Sequence, residues 1–148
     1  MGYVETAIDI NAEPEVVYNL AKKIEDFPLY MPDVKEITVL ERSGNFSVTN
    51  WVTEVEGTPI TWKEKETFDD SSLTISYQLL EGDLEKFQGA WRFVPKDGGT
   101  RVTLDVDFDF GVPAIEELMG PILKKKVEEN SLMMLSSLKK KIESMHVK

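Results

Sequence analysis

The chain has 148 residues, and 27 acidic against 17 basic residues give it a net charge of −10. Such an acidic surface repels phosphate groups, so neither nucleic-acid binding nor docking on anionic lipid is expected. There is no cysteine, and the single histidine, His146, lies near the C-terminus. This excludes disulfides, thiolate zinc sites, a Ser-His-Asp triad and multi-histidine metal sites. Any catalysis must use carboxylates, hydroxyls, lysine, arginine or bound water.

A hydrophobic content of 41% over 148 residues is typical of one globular domain, expected to span residues 1–148. No apolar run approaches the ~20 residues that a membrane-spanning helix needs, so no stable membrane insertion is expected. The N-terminus lacks the basic start and apolar stretch of a secretory signal. These features predict a cytoplasmic protein.

Alternating apolar and polar residues predict a first strand over residues 3–10. A short helix is then predicted around Pro14, because proline and acidic neighbours suit the first helical turn. The apolar stripe of this helix consists of Val17, Leu20, Ala21 and Ile24. A second, shorter helical piece is predicted between Pro28 and Pro32.

Turn-forming sequences divide the central part of the chain into six further predicted strands. They cover residues 34–42, 46–55, 60–69, 73–80, 86–94 and 101–110. In the last strand, Val102, Leu104, Val106, Phe108 and Phe110 alternate with Arg101, Thr103, Asp105, Asp107 and Asp109. Such a carboxylate ladder can hold a hard cation, but a solvated outer face is the commoner arrangement, and no metal site is expected.

The C-terminal segment predicts a long amphipathic helix over residues 121–145, which restarts at Pro121 after a break at Gly120. Its apolar stripe consists of Leu123, Val127, Met134, Leu138, Ile142 and Met145. A long helix after so many strands buries its stripe most easily against one curved antiparallel sheet. A sheet curved around a helix leaves a cavity between them, expected to measure roughly several hundred Å³.

This order of elements resembles the helix-grip fold of the START-like superfamily, which includes polyketide aromatase/cyclases, Bet v 1-like proteins and coenzyme Q-binding proteins. The patterns that carry the resemblance are Ile-Asn-Ala-Glu-Pro-Glu-Val-Val-Tyr at 10–18, Asp-Phe-Pro at 26–28, and the segments 81–83, 89–93 and 99–103. The small bacterial cyclase/dehydrase-like branch is the most similar. The resemblance implies an α+β fold, in which a curved antiparallel sheet of about seven strands wraps around a long C-terminal helix, with two short helices after the first strand.

One face of strand 46–55 carries Thr49, Trp51, Thr53 and Val55. Trp51 on this face either lines the pocket or packs in the core. In the aromatase/cyclases that the chain resembles, a tryptophan, a hydroxyl residue and an arginine line the pocket at alternate positions of the equivalent strand. Trp51 and Thr53 match this pattern, but Val55 stands at the arginine position. The resemblance therefore implies a more apolar pocket wall, without the arginine that would stabilise an enolate.

One face of strand 60–69 carries Ile60, Trp62, Glu64, Glu66 and Phe68. If this face points inward, burial raises the pKa of Glu64 or Glu66, which can then serve as general acid or base or bind a ligand hydroxyl. If it points outward, both carboxylates are simply solvated. The outward arrangement is favoured, because carboxylates are rarely buried. Arg92 could form an ion pair with one of these glutamates.

Three further groups complete the candidate site. Phe27, Tyr30 and Met31 lie on the piece that rims the pocket mouth in the resembled fold, where they form either a lid or part of the core. Asn130 lies on the apolar stripe, where its amide bonds either a ligand carbonyl or a buried backbone group. The predicted ligand-binding residues are Phe27, Tyr30, Met31, Thr49, Trp51, Thr53, Trp62, Trp91, Asn130 and Met134. The candidate catalytic residues are Glu64, Glu66 and Tyr30.

The predicted pocket is compatible with three functions. The first is cofactor-free binding of a hydrophobic small molecule, such as a polyketide-like aromatic, a lipid or an isoprenoid quinone. The second is a cyclase/dehydrase that positions a flexible polyketide chain for aldol closure. The third is a protein-interaction module like the ribosome-associated members of the coenzyme Q-binding branch. The net charge of −10 disfavours RNA contact but permits a basic protein partner.

Overall fold

The computed structural model describes residues 2–55, 57–109, 111 and 113–145. Strand β1 (Gly2–Ile10) leads to helix α1 (Pro14–Lys22), a 3-10 turn (Ile24–Asp26) and helix α2 (Phe27–Tyr30). Strands β2 (Val34–Arg42), β3 (Phe46–Val55), β4 (Thr58–Asp69), β5 (Thr74–Gly82), β6 (Lys86–Lys96) and β7 (Gly99–Asp109) precede helix α3 (Pro113–Met145). This element order confirms the predicted one.

The strands form a seven-stranded antiparallel sheet in the order β1-β7-β6-β5-β4-β3-β2. Strand β1 pairs with β7 over its whole length, from Gly2 opposite Phe108 to Ile10 opposite Thr100. The segment that contains α1 and α2 connects β1 at one edge of the sheet to β2 at the other. The curved sheet and the long C-terminal helix confirm the predicted α+β helix-grip fold.

Helix α1 begins where the sequence predicts. Pro14 is its first residue, a position where the missing N–H is not needed, and Glu13 before it has an extended backbone. Val17, Tyr18 and Ala21 are almost completely buried. The helix contacts β6 and β7 with this face, so it closes one side of the core.

Helix α3 starts earlier than predicted and does not break at Gly120. It runs from Pro113 to Met145 with Pro121 inside it. A proline within a helix removes one backbone hydrogen bond and crowds the carbonyl four residues before it. In a helix of 33 residues this loss is local, since the remaining turns keep their bonds. None of the helices in the described residues has the length and apolar content to cross a bilayer.

The second half of α3 is fixed in the core. Leu135, Leu138 and Ile142, here called the anchor residues, are completely buried, and the helix packs mainly against β1. Lys139 Nζ also donates a hydrogen bond to the carbonyl oxygen of Asp9 at 2.7 Å. The predicted stripe lacked Leu135 and included Met145, which lies in the last turn and is 53% exposed.

The outer face of the sheet differs from the predicted solvated ladder at one position. Asp107 is half-buried and pairs with Lys86 at 2.9 Å, as an outer residue can, but Asp105 is buried and pairs with Arg92. Arg92 therefore lies on the outer face and is not a partner of the β4 glutamates. Within the described residues, no three His, Cys, Asp or Glu side chains group as metal ligands.

The anchor residues give a direct test of how α3 is held. Leu138→Ala is expected to lower the free energy of unfolding by about 2–5 kcal/mol, because it leaves a cavity in the core. Met145→Ala, at an exposed position of the same helix, is expected to change it by less than about 0.5 kcal/mol. Urea denaturation measures both values. A small effect of Leu138→Ala would contradict the anchoring role.

Candidate functional site

A cavity of about 190 Å³ lies between the inner face of the sheet and the middle of helix α3. Its ring-bearing lining residues are Phe27, Trp51, Trp62, Tyr77, Phe87 and Trp91. The helix contributes Leu123, Lys126, Val127, Asn130, Ser131 and Met134. The volume is smaller than the several hundred Å³ expected from the sequence. The aromatic side chains account for the difference, because they occupy much of the space that the curved sheet encloses.

Unequal burial along helix α3 explains where the cavity forms. The anchor residues are completely buried, so this half of the helix lies directly on the sheet. Leu123, Val127 and Asn130, one to three turns earlier, are only partly buried. The helix therefore covers the sheet at one end without filling the space beneath its middle.

Strands β3 and β4 build the aromatic wall of the cavity. Their antiparallel register puts Trp51 opposite Trp62, and the two indoles stack with centroids 5.3 Å apart and planes 15° apart. Phe27 meets Trp51 edge-on at 5.9 Å, and Phe87 lies 5.1 Å from Trp62. Contacts of this kind favour fixed ring positions, so the wall has a defined shape.

Glu66, on β4, lines the cavity beside this wall and is 1% exposed. Its carboxylate accepts hydrogen bonds from Ser47 Oγ at 2.6 Å, from Thr49 Oγ1 at 2.5 Å and from Trp51 Nε1 at 3.4 Å. All three donors belong to β3, on the face that the register sets against β4. These donors satisfy the buried carboxyl oxygens of Glu66.

Glu64, two residues before Glu66 on the same face, is 4% exposed. Burial is the main cause that raises the pKa of Glu64 well above its usual value of 4.5, followed by a hydrogen bond to Glu66 and the charge of Glu66. The indole Nε1 of Trp62 donates to Glu64 Oε1 at 2.7 Å and acts in the opposite direction. Glu64, beside Glu66, therefore keeps its proton to a higher pH than an exposed glutamate does. We call these two residues the acid pair.

The preferred prediction for this face of strand 60–69 was wrong. Both glutamates point inward and line the cavity. Burial of a carboxyl is costly only where hydrogen-bond donors are missing, and here β3 and Trp62 supply them. The donors to Glu66 lie on β3, and the donor to Glu64 is Trp62 on β4. The alternation of residues along β4 alone could therefore not reveal that both carboxyls have donors.

The structure places most predicted ligand-binding residues at the cavity. Those that line it are Phe27, Trp51, Thr53, Trp62, Trp91, Asn130 and Met134. Thr49 is buried behind the wall as a donor to Glu66. Met31 is a core residue and does not line the cavity, and Phe27 belongs to both the core and the cavity. The side chain of Val55, and Phe110 and His146, lie outside the described residues.

Tyr30, a candidate for proton transfer, is not among the residues that line the cavity. Its ring packs edge-on against Phe27 at 6.1 Å. Its hydroxyl is buried and has no hydrogen-bond partner within the described part of the chain. Burial and the charge of Asp26 raise the pKa of Tyr30 well above its ordinary value. This hydroxyl stays protonated and does not adjoin the acid pair through any described bond.

The sequence analysis missed Ser47 and Tyr77. Ser47 lies two residues before Thr49 on the same strand face, so its inward direction was readable from alternation. Tyr77 lines the cavity, and its hydroxyl donates to the Asp105 carbonyl oxygen at 2.7 Å. This bond reaches across β6 at Gly89, where an added Cβ would lie 2.0 Å from the same oxygen. Gly89 thus allows a close approach that no larger residue permits.

Fold and cavity together define a START-like helix-grip protein with a largely apolar cavity between sheet and helix. The sequence model of the family described as polyketide cyclase/dehydrase and lipid transport matches residues 10–134, and the chain belongs to this family. The bifunctional cyclase/dehydratase of the actinorhodin polyketide synthase from Streptomyces coelicolor is 29% identical over 125 residues. That match covers 82% of this chain but only 38% of the relative. Major latex protein 146 from Papaver somniferum is 32% identical over 106 residues, 67% of each chain.

Solved structures agree with this assignment. The protein TTHA0849 from Thermus thermophilus is 30% identical, with a TM-score of 0.94 and coverage of 99% of this chain and 100% of that one. The Zhui aromatase/cyclase from Streptomyces sp. R1128 is 21% identical, with a TM-score of 0.88 and coverage of 96% and 93%. A START superfamily protein from Mycobacterium smegmatis is 19% identical, with a TM-score of 0.84 and coverage of 97% and 98%. The last two show the shared fold alone.

The raised pKa of Glu64 predicts a pH-dependent stability. Between pH 4.5 and that raised pKa, the unfolded chain has lost a proton that the folded chain keeps, so the free energy of unfolding falls as pH rises. Glu64→Gln keeps the shape of a neutral carboxyl but cannot ionise, so it removes this pH-dependent fall in the free energy of unfolding. Its stability relative to the wild type should therefore increase with pH, by up to about 1.4 kcal/mol per pH unit.

Urea denaturation at about pH 5 and pH 8 measures this difference. Glu36→Gln, which removes an exposed carboxyl from β2, is the matched control and should show little change between the two pH values. A Glu64→Gln variant that loses stability relative to the wild type as pH rises would show that Glu64 is ionised in the folded protein.

Proposed function

We propose that the protein binds a small, largely apolar molecule that contains a ring, in the cavity beneath helix α3. The observation that carries this proposal is the composition of the wall, which consists of aromatic and aliphatic side chains except at the acid pair and a few polar groups on β3 and the helix. Apolar surface provides the driving force at about 25 cal/mol per Å² buried, less the freedom lost on association. The acid pair would fix the orientation of one polar group.

Cavity size narrows the ligand class. An apolar protein cavity of roughly 150 Å³ accommodates benzene, so about 190 Å³ suits one substituted ring or the end of a larger molecule. The aromatic lining residues, among them the stacked pair Trp51 and Trp62, favour a ring over a bulky aliphatic group. Among the predicted ligands, a polyketide-like aromatic or a quinone head group fits these walls better than a long acyl chain.

Filling the cavity tests the proposal. Val127→Trp places a large ring in the space under α3 and is expected to weaken binding of a neutral aromatic probe, 2-phenylethanol, by at least about tenfold. Leu132→Trp, on the same helix but 44% exposed, is the matched control and should bind like the wild type. Tryptophan fluorescence or calorimetry follows the titration.

Equal binding by both variants would place the probe elsewhere and contradict the proposed cavity. Native mass spectrometry of the purified protein, followed by solvent extraction, would identify any molecule that co-purifies. A bound aromatic or quinone supports the proposal, whereas an acyl lipid would contradict the preference for a ring.

A cyclase/dehydrase is a second candidate, and the acid pair favours it. In a dehydration, Glu66 would accept the α-proton of a β-hydroxyacyl thioester while Glu64 protonates the β-hydroxyl. The C–O bond breaks, water leaves, and a carbon–carbon double bond forms. The pair then again holds one proton, now on Glu66, which can return to Glu64 through their hydrogen bond. The name of the related cyclase/dehydratase agrees with this chemistry. The match covers only 38% of the length of that relative.

Turnover of 3-hydroxy-3-phenylpropanoyl-N-acetylcysteamine to the cinnamoyl thioester would test this candidate by absorbance. Glu64→Gln is expected to lower the rate by about 10²–10⁴-fold, because it removes the acid while keeping the side-chain shape. Glu36→Gln should leave the rate unchanged. Wild-type protein that binds the thioester but leaves it intact would exclude dehydration and leave ligand binding as the function.

Binding to a protein partner, the third function predicted from the sequence, stays a prediction.

A further inference from the structure

Neutral groups hold the acid pair in place. Its hydrogen-bond donors on β3 and β4 are Ser47, Thr49, Trp51 and Trp62. The causes that shift the pKa of Glu64 are burial, Glu66 and Trp62, and none of them carries a positive charge. Arg42, at the end of β2, is bound to Glu25 through two hydrogen bonds on the exposed side of the protein. The four hydrogen bonds to the pair therefore come from neutral dipoles. The pKa of Arg42 is raised mainly by its hydrogen bond to Glu25 and in smaller part by the charge of Glu66, so the described effect of this arginine on the pair is through charge alone.

The charge that these donors support is a property of the pair as a whole. Burial, followed by the hydrogen bond and the charge of the neighbouring Glu66, raises the pKa of Glu64, so the pair keeps a proton more readily than an isolated glutamate does. Neutral donors stabilise that charge only in part, because a buried charge keeps a large desolvation cost. A ligand that brings a positive charge to the carboxyls would reduce this cost, whereas a neutral ligand would not.

The aromatic wall favours the same kind of ligand. Phe27, Trp51, Trp62, Phe87 and Trp91 line the same cavity as the acid pair, and Lys126 of helix α3 lines it as well. Aromatic faces attract cations through the ring quadrupole, and the attraction is strongest where water is excluded. Rings and carboxyls thus provide two independent contacts for one positive group. The net charge of −10 also raises the local concentration of cations.

We infer that the ligand is an aromatic amine-bearing molecule in its protonated form, with its ammonium group at Glu64 and Glu66 and its ring between the tryptophans and helix α3. The inference rests on the proposed function and specifies the ligand class. An ammonium group has three donors, which can bond oxygens of both carboxyls. A ligand carbonyl, the neutral alternative, could accept only the proton that the pair keeps.

Three probes of similar size separate these possibilities: 2-phenylethylamine, 2-phenylethanol and phenylacetate, which are cationic, neutral and anionic. Isothermal titration calorimetry with the full chain at neutral pH is expected to show the amine binding at least about tenfold more tightly than the alcohol, and phenylacetate most weakly. Glu66→Gln removes one of the two carboxyls and keeps the side-chain shape. It should lower the amine affinity about tenfold and leave the alcohol affinity unchanged.

Glu36→Gln changes the net charge equally at an exposed site and should retain the amine preference. Should Glu66→Gln fail to fold, Glu64→Gln allows a second measurement, because it removes one of the two carboxyls that bond the ammonium group and should lower the amine affinity while leaving the alcohol affinity unchanged. Equal affinity of the wild type for amine and alcohol, or an amine preference that survives both substitutions, would overturn the inference and leave the proposed function intact. No binding of any probe would overturn both.

Discussion

Two buried carboxyls set the constraint on which the rest of this structure depends. Glu64 and Glu66 can lie in an apolar wall only because donors reach them, and the hydroxyl and indole donors to Glu66 come from β3. The register of the β3–β4 hairpin therefore has to be correct to one residue. A slip by one position would turn the hydroxyls and Trp51 to the outer face and leave the carboxyls without these donors. The same register stacks Trp51 on Trp62, so the polar and aromatic parts of the site form together.

The cavity exists because the two halves of α3 are buried to different extents. The anchor residues press the second half of the helix onto β1, while the middle covers the sheet over partly buried side chains. A helix anchored along its whole length would close the space, and an unanchored helix would leave the aromatic wall exposed. The second half of α3 therefore anchors the helix in the core, while its middle borders the cavity. Because of this division, substitutions at Leu138 and at Val127 are expected to affect different properties, stability and ligand binding respectively.

Family membership limits the range of candidate functions but does not identify one of them. Related proteins include a polyketide cyclase/dehydratase and a major latex protein, and one fold can carry unrelated chemistries. What distinguishes this chain is the site itself. The family's aromatase pattern places an arginine where the sequence has Val55, and the charged groups among the described residues of the cavity wall are the acid pair and Lys126. Carboxyls beside aromatic rings attract hydrogen-bond donors and positive charge, as the proposed ligand requires.

Local patterns in the sequence determined the strands, their two faces and the amphipathic helix, since alternation and helical spacing are properties of neighbouring residues. They also placed Trp51, Trp62 and Asn130 at the ligand site, where the structure has them at the cavity. Only the tertiary structure decided which face of β4 points inward, that α3 continues through Pro121, and that Arg92 binds Asp105. Each of these depends on a partner distant in the chain: the hydroxyls of β3 for the glutamates, the packed core for the helix, and the neighbouring strand for the arginine. Residue spacing within one segment contains no information about such partners.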